Sequence, residues 1–441
     1  LELVITVTTA AFIGYILHEK PLFGVIIAIF AATLGEFSRL PEYTNLPYLF
    51  NDLFMPILII VWLIKKIALD RDYKTPPLLL PIIVWCTIGG ISLIANSSWL
   101  ETSQLKESAM YLIRFIEYFF LYLITADEAS KSAQAWKTIL FSIITGALLI
   151  SIFGFFQLQY YPSFYDLNLM AAGWDPHIGR LLSTWFDPNF VGGLLSFMIC
   201  IIFGIITGKQ KKSLPSTIYH LLSISCLLIA LYLTYSRSSY LACGIGLLAI
   251  TAIRSRKLLA LGILLISLAF LTLGQAQDRF MDLWESFKSI LGTSDYASLF
   301  NTDATSRLRL ESWQDAIAII KSHPLLGSGY NSYKYAQWDM GLISDIDLHH
   351  STGSDSTLLN IFATTGILGL TSYLFFYGKA LLITIKNSAE RTQISAYNLG
   401  LMGGLISILV HSTFVNSLLF PHILIFFWIS LGLSTKIKPV S

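Results

Sequence analysis

Charged residues are scarce in this chain, making up 13% of its 441 positions, where a soluble domain carries about 25%. That shortage excludes an ordinary soluble enzyme. Acid and base nearly cancel to a net charge of +2, so no nucleic-acid partner is expected, because no basic surface is large enough to neutralise a phosphate backbone. Cysteine is scarcer still. Cys86, Cys200, Cys226 and Cys243 all fall inside apolar segments with no CxxC pair. They read as small core residues, neither a disulfide framework nor a metal site. No cleavable signal peptide is evident, and a chain starting at Leu1 is expected to lack its native N-terminus. No internal repeat or low-complexity segment stands out.

Apolar sequence is what the chain has in quantity. It is 54% hydrophobic, with a mean hydropathy of +0.65. Runs of the roughly 17–25 residues that cross a bilayer recur from end to end. The expected spans are 2–17, 21–38, 50–69, 78–95, 107–125, 137–160, 188–208, 216–234, 237–253, 257–274, 355–386, 392–411 and 414–434. The fold class is therefore all-α, a polytopic transmembrane bundle of about 12–13 spans with one large external loop. Residues 1–274 form an N-terminal bundle, 275–354 the loop domain, and 355–441 the C-terminal transmembrane helices. Threading these spans puts every basic cluster on one side: Lys65/Lys66/Arg71/Lys74, Lys131/Lys137, Lys209/Lys211/Lys212, Arg254/Arg256/Lys257, Lys386/Arg391 and Lys436/Lys438. The positive-inside rule makes that side the cytoplasm and puts the N-terminus outside.

The outward segments then hold the candidate chemistry. The loop from Gln275 to Ser354 carries more than a third of the chain's 27 acidic residues. It also carries Trp284, Trp313, Trp338, Tyr330, Tyr333 and Tyr335, and a loop this long is expected to have its own elements and a function. "TSRLRLESWQDAIAIIKSHP" reads as a helix, with Trp313, Ile317 and Ile320 at helical spacing and Arg307–Glu311 an i,i+4 pair. Its stop is His323-Pro324, followed by a turn at Gly327 and Gly329. Between Lys212 and Arg254 the only formal charge is Arg237, in "LTYSRSSYLACG". An arginine at bilayer depth costs roughly 2.5–3.5 kcal/mol, so it marks a functional site or a snorkelling end. The segment "WDPHIGRLLSTWFDPNFVGG" adds Asp175, His177, Arg180, Asp187 and Asn189. There Pro188 suits a first helical turn and Asp187 its cap. Arg180 has no obvious helix partner.

"SDIDLHHSTGSDSTLLNIFATTGILGL" closes the loop. Its His349 and His350 suit proton transfer near neutral pH. Asp345-x-Asp347 with a histidine is an alternative metal set, and an ordinary polar connector is the third reading.

Three stretches together resemble the O-antigen ligase and O-antigen polymerase family, membrane glycosyltransferases of the GT-C type. They are "RLLSTWFDPNFVGGLL", "LTYSRSSYLA" and "SRLRLESWQDAIAIIKSHPLLGSGYNSY", followed by a Gly-Ile-Leu-Gly turn from Gly366 to Gly369. In one respect the chain departs from the family pattern. Many members, ligases especially, carry His-Asn just before the span after the loop, where this chain reads Ser354-Asp355. Its histidines stand four or five residues earlier, which favours a polymerase over a ligase.

The resemblance implies that a sugar hydroxyl attacks a glycan carried on undecaprenyl diphosphate at the outer face of the bacterial cytoplasmic membrane. The acceptor would be another glycan or lipid-linked molecule, and a chain-length regulator protein is a further partner such a polymerase would take. Arg237, Arg180, Arg307 and Arg309 would bind the diphosphate, since guanidinium forks grip phosphate oxygens and stay charged. No cofactor and no metal is expected. His350, His349 or Asp355 would take the hydroxyl proton; Asp187, Asn189 and Trp313 would position the site. The aromatic loop surface would form a sugar-binding lid. An O-antigen ligase is the alternative. A transporter would instead show paired, interrupted spans with charges at midplane.

Overall fold

The computed structural model describes residues 14, 16–40, 48–70, 75–163, 165, 177–208, 213–272, 304–344, 353–389 and 392–434. The first expected span, 2–17, lies almost wholly outside them, as do Asp175, Asp345, Asp347, His349, His350 and residues 273–303.

The described chain is helical, with no strand beyond an isolated bridge between Arg39 and Leu49. In order the helices are α1 (Pro21–Leu34), α2 (Phe50–Ile64), α3 (Leu79–Ala95), α4 (Thr102–Lys131), α5 (Ala133–Tyr160), α6 (Pro188–Thr207) and α7 (Leu214–Leu233). Then follow α8 (Arg237–Arg254), α9 (Arg256–Thr272), α10 (Ala304–Ser322), α11 (Tyr333–Asp339), α12 (Thr357–Asn387), α13 (Gln393–His411) and α14 (Pro421–Leu433). Helix starts follow elementary rules. Side-chain oxygens of Ser132, Asp187, Ser213, Ser356 and Thr392 accept from first-turn amides. Prolines stand in the first turns of α1, α6, α7 and α14, where the missing N–H costs nothing.

Among the described residues, 7 helical segments are long and apolar enough to cross a membrane: 21–38, 102–131, 133–160, 188–207, 214–233, 357–387 and 393–411. Leu79–Ala95 and Pro421–Leu433 are shorter apolar helices. The chain is thus a polytopic α-helical membrane protein. Where the expected spans fall on described residues, helices stand there, with two differences of substance. The last expected span begins too early, because residues 412–420 form a hairpin with a 3-10 turn at Ser417–Leu419 before α14. The span after the loop is broken at Gly366 (φ 66°, ψ −169°).

Small residues and aromatics do the packing. A Cβ on Gly204 of α6 would overlap the backbone of Gly400 on α13, so the two helices meet backbone to backbone, as small residues allow in membranes. Trp428 of α14 meets Phe115 and Phe119 of α4 edge-on at 5.7 and 5.5 Å. An ion pair is buried in this core. Arg114 Nε and Nη2 donate to the two Asp52 oxygens at 2.8 and 2.6 Å, and Tyr118 donates to Oδ1 at 2.9 Å.

The break at Gly366 seats the loop domain. Ser328 and Gly329 N–H donate to the carbonyls of Ala363 and Thr364 at 2.9 and 3.1 Å, and Ile367 N–H donates to Pro324 at 2.9 Å. Ser92 Oγ reaches Leu326 and Thr364 carbonyls at 2.6 and 2.8 Å. The Pro-x-x-Gly-x-Gly turn therefore fills the gap in α12 with its own backbone, and the freed carbonyls find donors there, as the interior of a membrane protein requires.

Helix ends sort into two groups. Lys66 and Lys131 pair with Asp127 at 2.8 and 3.5 Å, and Arg254 donates to the last carbonyl of α6, Thr207, at 2.6 Å. The start of α6 lies at the opposite end, with the candidate site.

Candidate functional site

Two strained turns build the site. Ser183 and Phe186 hold left-handed φ of 54° and 56° before α6, and Tyr235 holds 49° between α7 and α8. Such conformations cost about 1–3 kcal/mol each and persist only where the surroundings fix them. Here the fixings are explicit. Ser183 Oγ donates to Ile150 O at 2.6 Å, Thr184 Oγ1 to Thr33 O at 2.6 Å, and Trp185 Nε1 to Ala32 O at 2.9 Å. Leu181 N–H donates to Leu233 O at 2.9 Å, tying one turn to the other.

Arg180 completes that junction. Its Nε donates to Thr234 O at 2.9 Å and its Nη2 to Asn189 Oδ1 at 3.3 Å, while Nη1 lies 3.4 Å from His177 Nδ1. The stretches around "FDPN" and "TYSR", far apart in sequence, are therefore one site. Arg237, half-buried, is the first residue of α8, one position after Ser236. Asp187 is a helix cap: its Oδ1 accepts from Asn189 and Phe190 N–H at 2.6 and 3.1 Å.

The loop domain joins at the same end. Thr357 N–H, opening α12, donates to Ser412 O at 2.8 Å at the end of α13. Trp313 Nε1 donates to Asp355 O at 3.2 Å, and Asp355 N–H donates to Ser312 Oγ at 2.9 Å. Trp313 also lies 6.2 Å from the Phe414 ring. Arg309, half-buried on α10, is within electrostatic reach of the His411 ring. The side chain of Arg307 lies outside the described residues.

Three loop aromatics are not available as a sugar lid. Tyr330, Tyr333 and Tyr335 are buried, because they anchor the domain to the bundle. Tyr330 packs on Trp85 at 6.2 Å, Tyr333 donates to Ser312 O at 2.8 Å, and Tyr335 donates to Glu107 at 2.6 Å beside the Lys334–Glu107 pair at 2.9 Å. Burial first, and then the Glu107 carboxylate, push the Tyr335 phenol well above its usual range. It stays protonated and keeps donating. Trp338 is exposed and Trp284 lies outside the described residues.

Residues that sequence inspection passed over complete the site. Ser236 Oγ donates to Asn189 Oδ1 at 3.0 Å and Ser239 Oγ to Ser236 Oγ at 2.8 Å. His411 Nε2 lies 3.0 Å from Ser239 Oγ and its Nδ1 2.7 Å from Ser417 Oγ. Serines and one histidine at apolar helix ends carry no spacing signal, so only their convergence reveals them. Beside them, the buried Ser412 Oγ and Asn416 Oδ1 have no protein hydrogen-bond partner among the described residues.

Comparison with known proteins covers this region. Residues 221–374 match a family model described as O-antigen ligase. Over 357 residues the chain is 25% identical to an O-antigen ligase of Salmonella typhimurium (strain LT2), covering 78% of this chain and 81% of that protein. The matched segment runs from α7 into α12 and includes Arg237, the arginine-bearing α10 and the break at Gly366. The chain is thus a polytopic membrane protein that is similar to an O-antigen ligase over most of its length, and most explicitly over residues 221–374.

Proposed function

We propose that this protein transfers a glycan from a lipid diphosphate to a hydroxyl of a different acceptor, working as a ligase at the loop-domain end of the bundle. The observation that carries the reading is the junction of Arg180 with Asn189 and Thr234, next to Arg237. The Arg180 guanidinium stands there and Arg237 starts α8 one residue after Ser236, at the helix start where the family resemblance puts the diphosphate. The polymerase expected from the missing His-Asn pair is the second reading. Both comparisons bear the ligase name, and they favour the ligase.

In the proposed reaction an acceptor hydroxyl oxygen forms a bond to the anomeric carbon. The bond from that carbon to the diphosphate oxygen breaks, and its electron pair leaves with the lipid diphosphate. Arg237, Arg180 and Arg309, with Arg307 from the same helix, stabilise the developing charge. Loss of one well-placed donor of this kind costs about 10²–10³ in rate. Asp355, His349 or His350 accepts the hydroxyl proton. Ser412 Oγ and Asn416 Oδ1, otherwise unmatched in the interior, suit a ligand rich in hydroxyls. The outer face of the cytoplasmic membrane is the site this chemistry calls for, since Lys66, Lys131 and Arg254 lie at the other end.

A transporter is disfavoured by the only interrupted helix among the described residues. The break at Gly366 is filled by the chain's own turn, whose backbone takes up the freed hydrogen-bonding groups. The test is incubation of purified protein with a lipid-diphosphate-linked oligosaccharide and a lipid A core acceptor, followed by product sizing. One addition to the acceptor is expected. A ladder of donor repeats would replace the ligase by the polymerase, and no transfer under any acceptor would overturn both.

A further inference from the structure

Hydrogen-bond polarity can be followed outward from Arg180. A guanidinium only donates, so the Asn189 atom that faces Nη2 at 3.3 Å is the amide oxygen. That oxygen only accepts, and Ser236 Oγ, 3.0 Å away, must donate its proton to it. Ser236 then has no proton left for its other neighbours, and it accepts from Ser238 Oγ at 3.3 Å as well as from Ser239. Ser239 Oγ, at 2.8 Å, must therefore donate to Ser236. With its own proton committed, Ser239 can only accept from the His411 Nε2 at 3.0 Å. In the neutral ring Nδ1 is left as an acceptor, and Ser417 Oγ donates to it at 2.7 Å. Every link is buried or half-buried, and Ser236, Ser239, His411 and Ser417 are at most 1% exposed.

The chain joins three regions that are distant in sequence: α6 through Asn189, the α7–α8 turn and start of α8 through Ser236 and Ser239, and the end of α13 with its following hairpin through His411 and Ser417. His411 also fills the space over Gly193 of α6, where a Cβ would press on the imidazole at 2.9 Å.

We propose that His411 is a positioning residue: as the neutral Nε2–H tautomer it orients Ser239 and Ser236, and through them fixes Asn189 and Arg180 at the diphosphate site. This inference rests on the glycan-transfer reading for its effect on activity, but not for its tautomer. A one-way chain has a single low-energy arrangement of protons, and that preorganises the junction before substrate arrives. A ring with the proton on Nδ1 would face Ser239 with a second acceptor, and the single Ser239 proton would leave either Ser236 Oγ or the ring Nε2 without its donor. A buried unsatisfied group of that kind would loosen the junction.

The test uses the full chain in a bilayer, labelled with ring-15N histidine, and has two readouts. Solid-state nitrogen shifts are compared between the wild type and His411→Gln, whose missing signal identifies the ring. A neutral ring protonated at Nε2 is expected; Nδ1–H or a doubly protonated ring overturns the proposal. In Ser239→Ala, which removes only one oxygen, the tautomer should shift toward Nδ1–H, and an unchanged ring would count against the chain. The second readout is transfer kinetics. His411→Leu should raise the donor KM about tenfold, and His411→Gln, which keeps an N–H donor, should restore it to within about threefold of the wild type. Equal losses in both variants overturn the positioning role. If the wild type transfers no glycan, the functional reading fails while the nitrogen shifts still decide the tautomer.

Discussion

Arg237 is the position where sequence and geometry meet most directly. It is the lone formal charge of a long apolar stretch, and it starts α8 beside the Arg180–Asn189 junction. Replacing it with alanine should abolish glycan transfer while protein abundance in the membrane stays unchanged, read by glycan gels and immunoblot. Normal long-chain glycan in such cells would remove Arg237 from the site. Lysine should not rescue it, because a point charge cannot reproduce a planar fork on phosphate oxygens. Asp187 behaves differently. Its oxygen is spent on two first-turn amides, so Asp187→Ala should cost about 1 kcal/mol of stability as a lost cap. A thermal midpoint lowered with turnover per folded molecule largely kept is the expected pattern. Asp355 has both its backbone groups tied to α10, and it is the described member of the three candidate bases.

At the scale of elements, the joint between loop domain and bundle is the most specified contact. Gly366 holds φ 66° and a Cβ there would overlap the carbonyl of Leu325, so alanine meets both strain and a clash. Gly366→Ala should loosen the loop domain from α12, seen as faster amide exchange in Leu325–Gly329 with the span helices still protected. The Tyr335–Glu107 bond is a second fastening. A hydrogen bond to a charged group contributes about 1.5–3 kcal/mol, so Tyr335→Phe should lower the thermal midpoint while α4 itself stays intact by circular dichroism. Both motifs were visible in the sequence as Gly-x-Gly and Gly-Ile-Leu-Gly. Their roles were not visible, because a glycine pair does not say which backbone it must approach.

Over the described residues, one end of the bundle carries the candidate site at the start of α6 and the other the Lys66–Asp127 and Arg254–Thr207 contacts. The Arg114–Asp52 pair sits inside this bundle with Tyr118 as a third member. Asp52→Ala would leave a buried guanidinium without its carboxylate, and such losses cost about 3–5 kcal/mol. A joint replacement of both by apolar residues should recover most of that in a thermal melt. If both variants melt alike, the pair is not the source of the loss. Chelator addition tests the alternative of a metal at Asp345 and Asp347. Transfer that survives EDTA is expected, and loss restored by a divalent ion would reassign the chemistry.

The amino-acid sequence alone determined that the chain is a helical membrane protein and where most spans begin, since length of apolar runs, prolines and capping oxygens act locally along the backbone. It also marked Arg180 and Arg237, because charge amid apolar sequence is conspicuous without a fold, and Asn189 as part of the resembling motif. Tertiary structure alone decided that Arg180 and Asn189 meet beside the start of α8, that the loop tyrosines are anchors and not a lid, and that His411 and the serines belong with Asn189. Those facts concern pairs of residues tens to hundreds of positions apart. Only packing of the helices sets their distance.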